Sequence, residues 1–141
     1  MISDDLKLTG NLTIAVNDEI VQETKNLVVT AGKNFVASRM KDTTKAAMTH
    51  MAVGTGTTAA AAGNTTLVSE TDRNALTSTT VTNNAIAYVA TWAAGDATAA
   101  LTEAGIFNAS SGGDMLCRTV FSVVNKGASD SMTITWTVTV S

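Results

Sequence analysis

The stretch MTITWTVTV, from Met132 to Val140, decides the fold class of this chain. Large apolar residues occupy every second position, and threonines occupy the positions between them. Because successive side chains of a β-strand point to opposite faces, this alternation predicts a strand with one apolar and one threonine face. The β-branched residues that dominate both faces fit a pleated, half-buried surface. The stretch therefore predicts a strand that buries one face in a core.

Working back from this strand, similar segments extend the β prediction along the chain. Turn-forming residues separate them, as at Asn83–Asn84 and at Gly112–Gly113. The first predicted strand is bent near Gly10. The predicted strands cover residues 6–16, 19–29, 48–53, 75–82, 85–92, 101–108, 115–124 and 132–140.

One helix is predicted from Ala31 to Lys41, with Thr30 as its N-cap. Val36 and Met40 recur at helical spacing, and the last turn carries two basic residues that suit the carboxyl end of the helix dipole. Seven to nine strands and one short helix predict a mainly β fold. We expect a single domain over residues 1–141, built as a β-sandwich or jelly roll. An immunoglobulin-type sandwich is the alternative, although its Cys and Trp pattern is missing.

The composition restricts the function classes. The formal net charge of −3 argues against non-specific binding of nucleic acid. Of 141 residues only 15% are charged, and the 45% that are hydrophobic argue against a disordered chain. A single His50 and a single Cys117 provide neither a zinc cluster nor an internal disulfide. No apolar run is long enough to span a bilayer, and Met1–Asp5 lacks the order of a signal peptide. We expect synthesis in the cytoplasm, no membrane contact, and a neutral surface suited to packing against protein.

One glycine-rich motif looks like a phosphate loop. GTGTT runs from Gly54 to Thr58, but no Lys follows the second glycine to reach a phosphate. It opens the uncharged, low-complexity loop 54–66, which we interpret as a docking loop or a disordered one. Either way, the loop should tolerate shortening.

The remaining candidate residues have structural explanations. Glu70 or Asp72 is expected to form a surface ion pair with Arg73, because no residue nearby would orient a substrate. His50 is expected to be half-buried in a strand. Cys117 packs as a small hydrophobe, and both Trp92 and Trp136 belong to the core. No catalytic constellation, cofactor site or metal site is predicted.

The order of several segments resembles a module of small virion proteins from tailed bacteriophages, found in tail-fibre and collar proteins and also as a stand-alone protein. The segments that carry this resemblance are Ala52–Gly56, Leu67–Arg73, Glu103–Asn108, and Arg118–Phe121 with Lys126. Singly they are weak motifs, and their combination carries the resemblance. No catalytic residues are carried over from this family.

The resemblance implies a role in the virion. Stand-alone members of this size resemble capsid cement (decoration) proteins with jelly-roll folds, which bind the outer capsid surface and bridge major capsid protein subunits. A tail-fibre, collar or baseplate protein is the alternative. An enzyme has less support, because the sequence shows no catalytic constellation. A receptor-binding tip would normally show exposed aromatic residues, and only 4% of the residues are aromatic.

Self-association, most simply as a dimer, is also expected. Proline and charged side chains usually prevent the edge strands of a sheet from pairing with other chains. This chain has no proline and few charged residues. The predicted contact regions are the segment 1–16 and the loop 54–66. Their candidate interface residues are Leu6, Leu8, Gly54, Thr55, Gly56, Thr57 and Thr58.

Overall fold

The computed structural model describes residues 6–41 and 45–141. In these ranges the chain forms ten strands and one helix. The strands are β1 (Leu8–Val16), β2 (Glu19–Lys25), β3 (Leu27–Val28), β4 (His50–Gly54), β5 (Glu70–Ala75), β6 (Ser78–Thr82), β7 (Ala85–Trp92), β8 (Ala99–Phe107), β9 (Met115–Lys126) and β10 (Met132–Val140), and the helix α1 is Thr30–Lys41. The predicted mainly β fold with one short helix is confirmed.

The strands form two antiparallel five-stranded sheets that pack face to face as a β-sandwich. The first sheet has the order β2-β1-β10-β7-β6, and the second sheet has the order β3-β9-β8-β4-β5. The strand that decides the fold class, β10, lies at the centre of the first sheet between β1 and β7. Its central position explains its strong alternation, because one face covers the core along nearly its whole length.

The core lies between the two sheets. Trp92 and Trp136 from the first sheet pack in one buried cluster with Met51, Leu101 and Ile106 from the second. Both tryptophans are fully buried, as predicted. Burying a Met, Leu or Ile side chain contributes about 1.5–3 kcal/mol. The two sheets therefore stabilise each other mainly through the buried residues that face each other in this cluster.

Two predicted strands are each divided between the sheets. The predicted strand 19–29 is interrupted at Asn26, where the chain leaves β2 in the first sheet and enters β3 in the second. The predicted strand 75–82 is wrong in the same way, because β5 ends in the second sheet before β6 begins in the first.

The second crossing is abrupt. The amide of Leu76 donates to the carbonyl of Thr49 (2.9 Å), and the next amide, that of Thr77, donates to the carbonyl of Val89 (2.7 Å). Consecutive residues thus bond to opposite sheets, Leu76 to the residue that precedes β4 and Thr77 to β7. The chain bends at Thr77, but neither Leu76 nor Thr77 is a typical turn residue, so the sequence does not mark the change of sheet.

The helix α1 lies on the second sheet. It begins at Thr30, one residue before the predicted start, and it buries Gly32 and Phe35. A side chain at Gly32 would collide with the backbone of Leu116, so this glycine lets the helix approach β9 closely. Within the described ranges, no helix is long and apolar enough to cross a membrane.

The second sheet is covered on both faces. From Leu101 to Phe107 every residue of β8 is buried, although a strand with one wet face would alternate. The outer cover is the segment between β4 and β5, residues 55–69, which we call the covering loop. Its Leu67 joins a second buried cluster with Ala52, Phe107 and Met115. The face of β8 that carries Glu103 is therefore enclosed by protein.

Candidate functional site

A fully buried ion pair lies beneath the covering loop. Glu103 in β8 and Arg118 in β9 both have side chains with no exposed surface. The arginine Nη2 and Nε donate to Oε1 of the glutamate at 3.0 and 3.2 Å. A buried ion pair needs further hydrogen bonds to offset the loss of solvation. The covering loop supplies them.

The Glu103 carboxylate accepts three backbone amides from the loop. Gly56 N donates to Oε2 at 2.8 Å, Ser69 N donates to Oε2 at 2.7 Å, and Val68 N donates to Oε1 at 2.9 Å. These amides come from the two ends of the covering loop. One carboxylate therefore fixes both ends of a 15-residue segment.

Arg118 holds the middle of the loop. Its Nη2 donates to the carbonyl of Thr58 at 2.9 Å, and its Nη1 donates to Oδ1 of Asn64 at 3.1 Å. The same Asn64 oxygen accepts the amide of Ala61 at 2.8 Å. Thr102 adds a hydroxyl that donates to the carbonyl of Gly56 at 2.8 Å. The loop is thus attached at its ends and at its centre.

These contacts change the acidity of the glutamate. Burial alone would raise the pKa of Glu103, but the amides of Val68 and Ser69, the Arg118 guanidinium and the Gly56 amide together lower it below its ordinary value. The carboxylate therefore stays ionised at neutral pH.

Acid is expected to weaken the fold through this group. Because the pKa is lower in the folded protein, its stabilising contribution is complete above the ordinary value of 4.5 and is lost as the pH falls through the folded value. Urea unfolding across pH 2–6 should show this loss, and a Glu103→Gln variant should show a smaller one. A pH profile that is the same in both proteins would contradict the assignment.

Two glycines of the covering loop give a matched test of its packing. A side chain at Gly56 would collide with the Glu103 carboxylate and with Val68, whereas one at Gly63 would meet nothing within 4 Å. We expect Gly56→Ala to destabilise the protein by about 1–3 kcal/mol. Gly63→Ala should be neutral or stabilise the protein by up to about 1 kcal/mol, since alanine restricts the unfolded chain. Thermal or urea unfolding measures both, and equal effects would contradict the packing of Gly56.

The buried pair has no free chemistry to offer. Both charged groups are enclosed, and their oxygens and nitrogens are occupied by the hydrogen bonds described above. In the part of the chain that the structure describes, no group of three or more His, Cys, Asp or Glu side chains is placed to hold a metal ion. The arrangement shapes a surface and does not present a reactive group.

The sequence-predicted interface residues fall into two separate places. Leu6 is exposed, and Leu8 begins β1 in the first sheet, where it is half-buried; residues 1–5 of the predicted contact segment lie outside the described ranges. The five residues 54–58 lie at the second sheet and in the covering loop.

The two glycines of that stretch, Gly54 and Gly56, are buried by the chain itself. The side chains of Thr55, Thr57 and Thr58 are exposed. The structure thus leaves the threonines available at the surface and gives the glycines a packing role. The amides of Thr55 and Gly56 and the carbonyl of Thr58 are hydrogen-bonded, so this stretch has a defined conformation. Its role in docking stays a prediction.

The predicted ion pair of Arg73 is present, but it is not a surface pair, because the Arg73 side chain is only 7% exposed. Arg73 forms its ion pair with Glu70, with Nη2 2.7 Å from Oε1, and its guanidinium also stacks 3.8 Å from the ring centre of Phe107. His50 is half-buried in β4. Cys117 is buried, and burial raises the pKa of its thiol, so the thiol stays protonated and unreactive.

Glu103 and Arg118 are not among the sequence-predicted site residues. A signal for them exists in the sequence: each is the only charged residue of a mostly apolar segment, LTEAGIF or MLCRTVF. Because neighbouring strands of a hairpin pair, one acid and one base in such segments indicate a buried ion pair. The hydrogen bonds to the covering loop have no such signal, because they involve backbone atoms.

No protein-family model matches the chain, and no curated protein and no solved structure matches it.

Proposed function

We propose that this protein is a structural component of a bacteriophage virion, a capsid cement protein that binds the outer shell and bridges major capsid protein subunits. The observation that carries the proposal is the covering loop, a long uncharged segment held in one shape by the buried Glu103–Arg118 pair. The resemblance of the segments around it to phage virion modules gives the proposal its biological setting.

A fixed loop suits binding to a repeating lattice. Ordering a flexible loop at an interface costs free energy, and a loop that is already ordered avoids most of this cost. The exposed loop residues are small and uncharged, with Thr57, Thr58 and Ala59 at the surface, so a partner backbone can approach closely. Many weak contacts then add up when every copy sits on the same symmetric shell. In this proposal the protein has no enzymatic activity.

Imaging of purified virions tests the proposal. Virions assembled with the wild-type chain should show density for the sandwich on the outer shell. Density confined to the tail would contradict the cement role and favour the alternative, a tail-fibre, collar or baseplate protein, which the same resemblance supports. No density anywhere on the virion would overturn both.

A binding assay tests the part played by the covering loop. Thr57→Lys places a charge on the loop surface, while Thr135→Lys places the same charge at an exposed position of β10, on the other sheet. We expect the first variant to bind undecorated capsids about tenfold or more weakly, because it buries an unpaired charge in the interface. The second should bind like the wild type. Equal binding by both would remove the loop from the interface.

A further inference from the structure

The four edge strands of the sandwich are protected to different degrees. Exposed edges invite pairing with other chains, and proteins protect them with charges, bulges or very short strands. In the first sheet, β2 carries Glu19, Glu23 and Lys25, and its pairing with β1 contains a bulge. In the second sheet, β3 has two residues, and β5 carries three charged residues and a bulge in its pairing with β4.

The fourth edge, β6, has none of these protections. Its sequence STTVT is uncharged, and its pairing with β7 runs without a bulge from Ser78 to Thr82. All five residues are exposed. No other strand in residues 6–41 and 45–141 pairs with its outer side. The sequence from residue 74 to residue 95 contains no charged side chain, so the whole β6–β7 hairpin is neutral.

An apolar groove of about 490 Å³ opens beside this edge. Thr79 and Val81 of β6 line it together with Met40 of α1 and Leu8 of β1. Val81 is 66% exposed and Met40 is 83% exposed, which leaves large apolar surface in water. The edge and the groove are contiguous, because Val81 belongs to both. A partner that pairs with β6 would therefore also cover the mouth of the groove.

We propose that β6 pairs antiparallel with β6 of a second copy of this chain, which makes one continuous ten-stranded sheet from two first sheets. A symmetric dimer of this kind uses the same patch on both subunits. With Thr80 on the two-fold axis, Thr80 faces Thr80, and Thr79 faces Val81 of the partner subunit. No charged side chain of β6 meets another, so the strand is complementary to itself.

The same dimer would also cover the apolar groove. The two-fold axis of an antiparallel strand pair is perpendicular to the sheet, so both grooves lie on the same side and next to each other. On the groove side, Val81 of each subunit then lies opposite Thr79 of the partner subunit, and the two Val81 side chains are diagonal neighbours across the strand pair. The exposed apolar surface of both copies is covered at one interface. This inference is independent of the capsid proposal, since it concerns the free protein.

Disulfide trapping tests the pairing and its register. Opposed Cα atoms in antiparallel strands are about 4.5–5.5 Å apart, within the range of a disulfide. We expect Thr80→Cys to form a covalent dimer under mild oxidation, because Cys117 is buried and does not compete. Thr82→Cys is the matched control on the same strand. Its two copies would be offset by four residues, about 13 Å, and should not cross-link.

Sedimentation equilibrium completes the test. The wild-type protein should show a concentration-dependent dimer, and Thr80→Lys should weaken it about tenfold or more, because like charges would face each other on the axis. Val21→Lys, on the opposite edge of the same sheet, should not. A monomer at every concentration would overturn the inference, and a strand of a different protein would then be the remaining candidate to pair with β6. Cross-linking of Thr82→Cys as fast as Thr80→Cys would overturn it too.

Discussion

Replacing Arg118 with methionine is expected to destabilise the protein by about 3–5 kcal/mol. The change leaves the Glu103 carboxylate buried without its cation, and it removes the donors to Thr58 and Asn64 of the covering loop. Methionine preserves much of the side-chain volume, so the loss reports the charge and the hydrogen bonds. Urea unfolding at neutral pH measures the effect.

An exposed ion pair provides the control for this prediction. Lys45 and Asp114 form a salt bridge of 2.9 Å with side chains 42% and 33% exposed. Lys45→Met should cost at most about 1 kcal/mol, as is usual for exposed pairs. If Arg118→Met cost no more than Lys45→Met, the buried pair would not stabilise the fold as described.

A double variant distinguishes the ion pair from the loop contacts. Replacing a buried pair by apolar residues is often neutral when the two charges satisfy only each other. Here Glu103 also accepts the amides of Gly56, Val68 and Ser69. Glu103→Met combined with Arg118→Met should therefore remain strongly destabilised, because those amides lose their acceptor. A double variant as stable as the wild type would show that the loop contacts contribute little.

The sequence alone predicts that the covering loop tolerates shortening, but its hydrogen bonds predict that deleting residues 57–63 has the second large effect, a loss of about 3 kcal/mol or more. The deletion removes the Thr58 carbonyl that Arg118 uses and the Ala62 carbonyl that accepts the amide of Thr30 at 2.8 Å. It also strains the ends of the loop, where the amide of Gly56 bonds to the buried carboxylate. The thermal midpoint should fall by about 10 °C or more.

The control for the deletion changes side chains and keeps the backbone. Replacing the exposed Thr57, Thr65 and Thr66 with serine leaves every backbone acceptor in place. This variant should unfold within about 0.5 kcal/mol of the wild type. A deletion variant that is equally stable would show that the loop is an appendage of the sandwich, as its sequence suggests.

The sequence predicts the strands well where one face is buried and the other is exposed to solvent. β10 alternates because it covers the core on one side only, and its buried residues, among them Ile134 and Trp136, are those that the pattern selects. In β8 the pattern is lost, because the covering loop buries the outer face as well. A strand alternates between apolar and polar residues when one of its faces is exposed to solvent, and the alternation is lost when a loop buries that face.

Two other features leave no mark in a linear pattern. The change of sheet occurs at a short bend at Leu76–Thr77 that contains no Gly, Pro, Asn or Asp, so its sequence resembles the interior of a strand. The covering loop has a low-complexity sequence, yet it is ordered, because its contacts use main-chain groups such as the Thr58 carbonyl. Alanine and threonine there show nothing of the hydrogen bonds that their backbones make. The loop's partners, Glu103 and Arg118, are distant in sequence and carry the only visible signal.

The covering loop is a fixed surface held by the buried ion pair of Glu103 and Arg118. Native-state hydrogen exchange of the amides of Gly56, Val68 and Ser69 tests it most directly, because each donates to Glu103. Val68 and Ser69 have exposed side chains, so protection of their amides would come from this hydrogen bonding and not from burial of the residue. We predict exchange as slow as that of the central strands β8 and β9. Exchange at the rate of an unstructured peptide would contradict the claim.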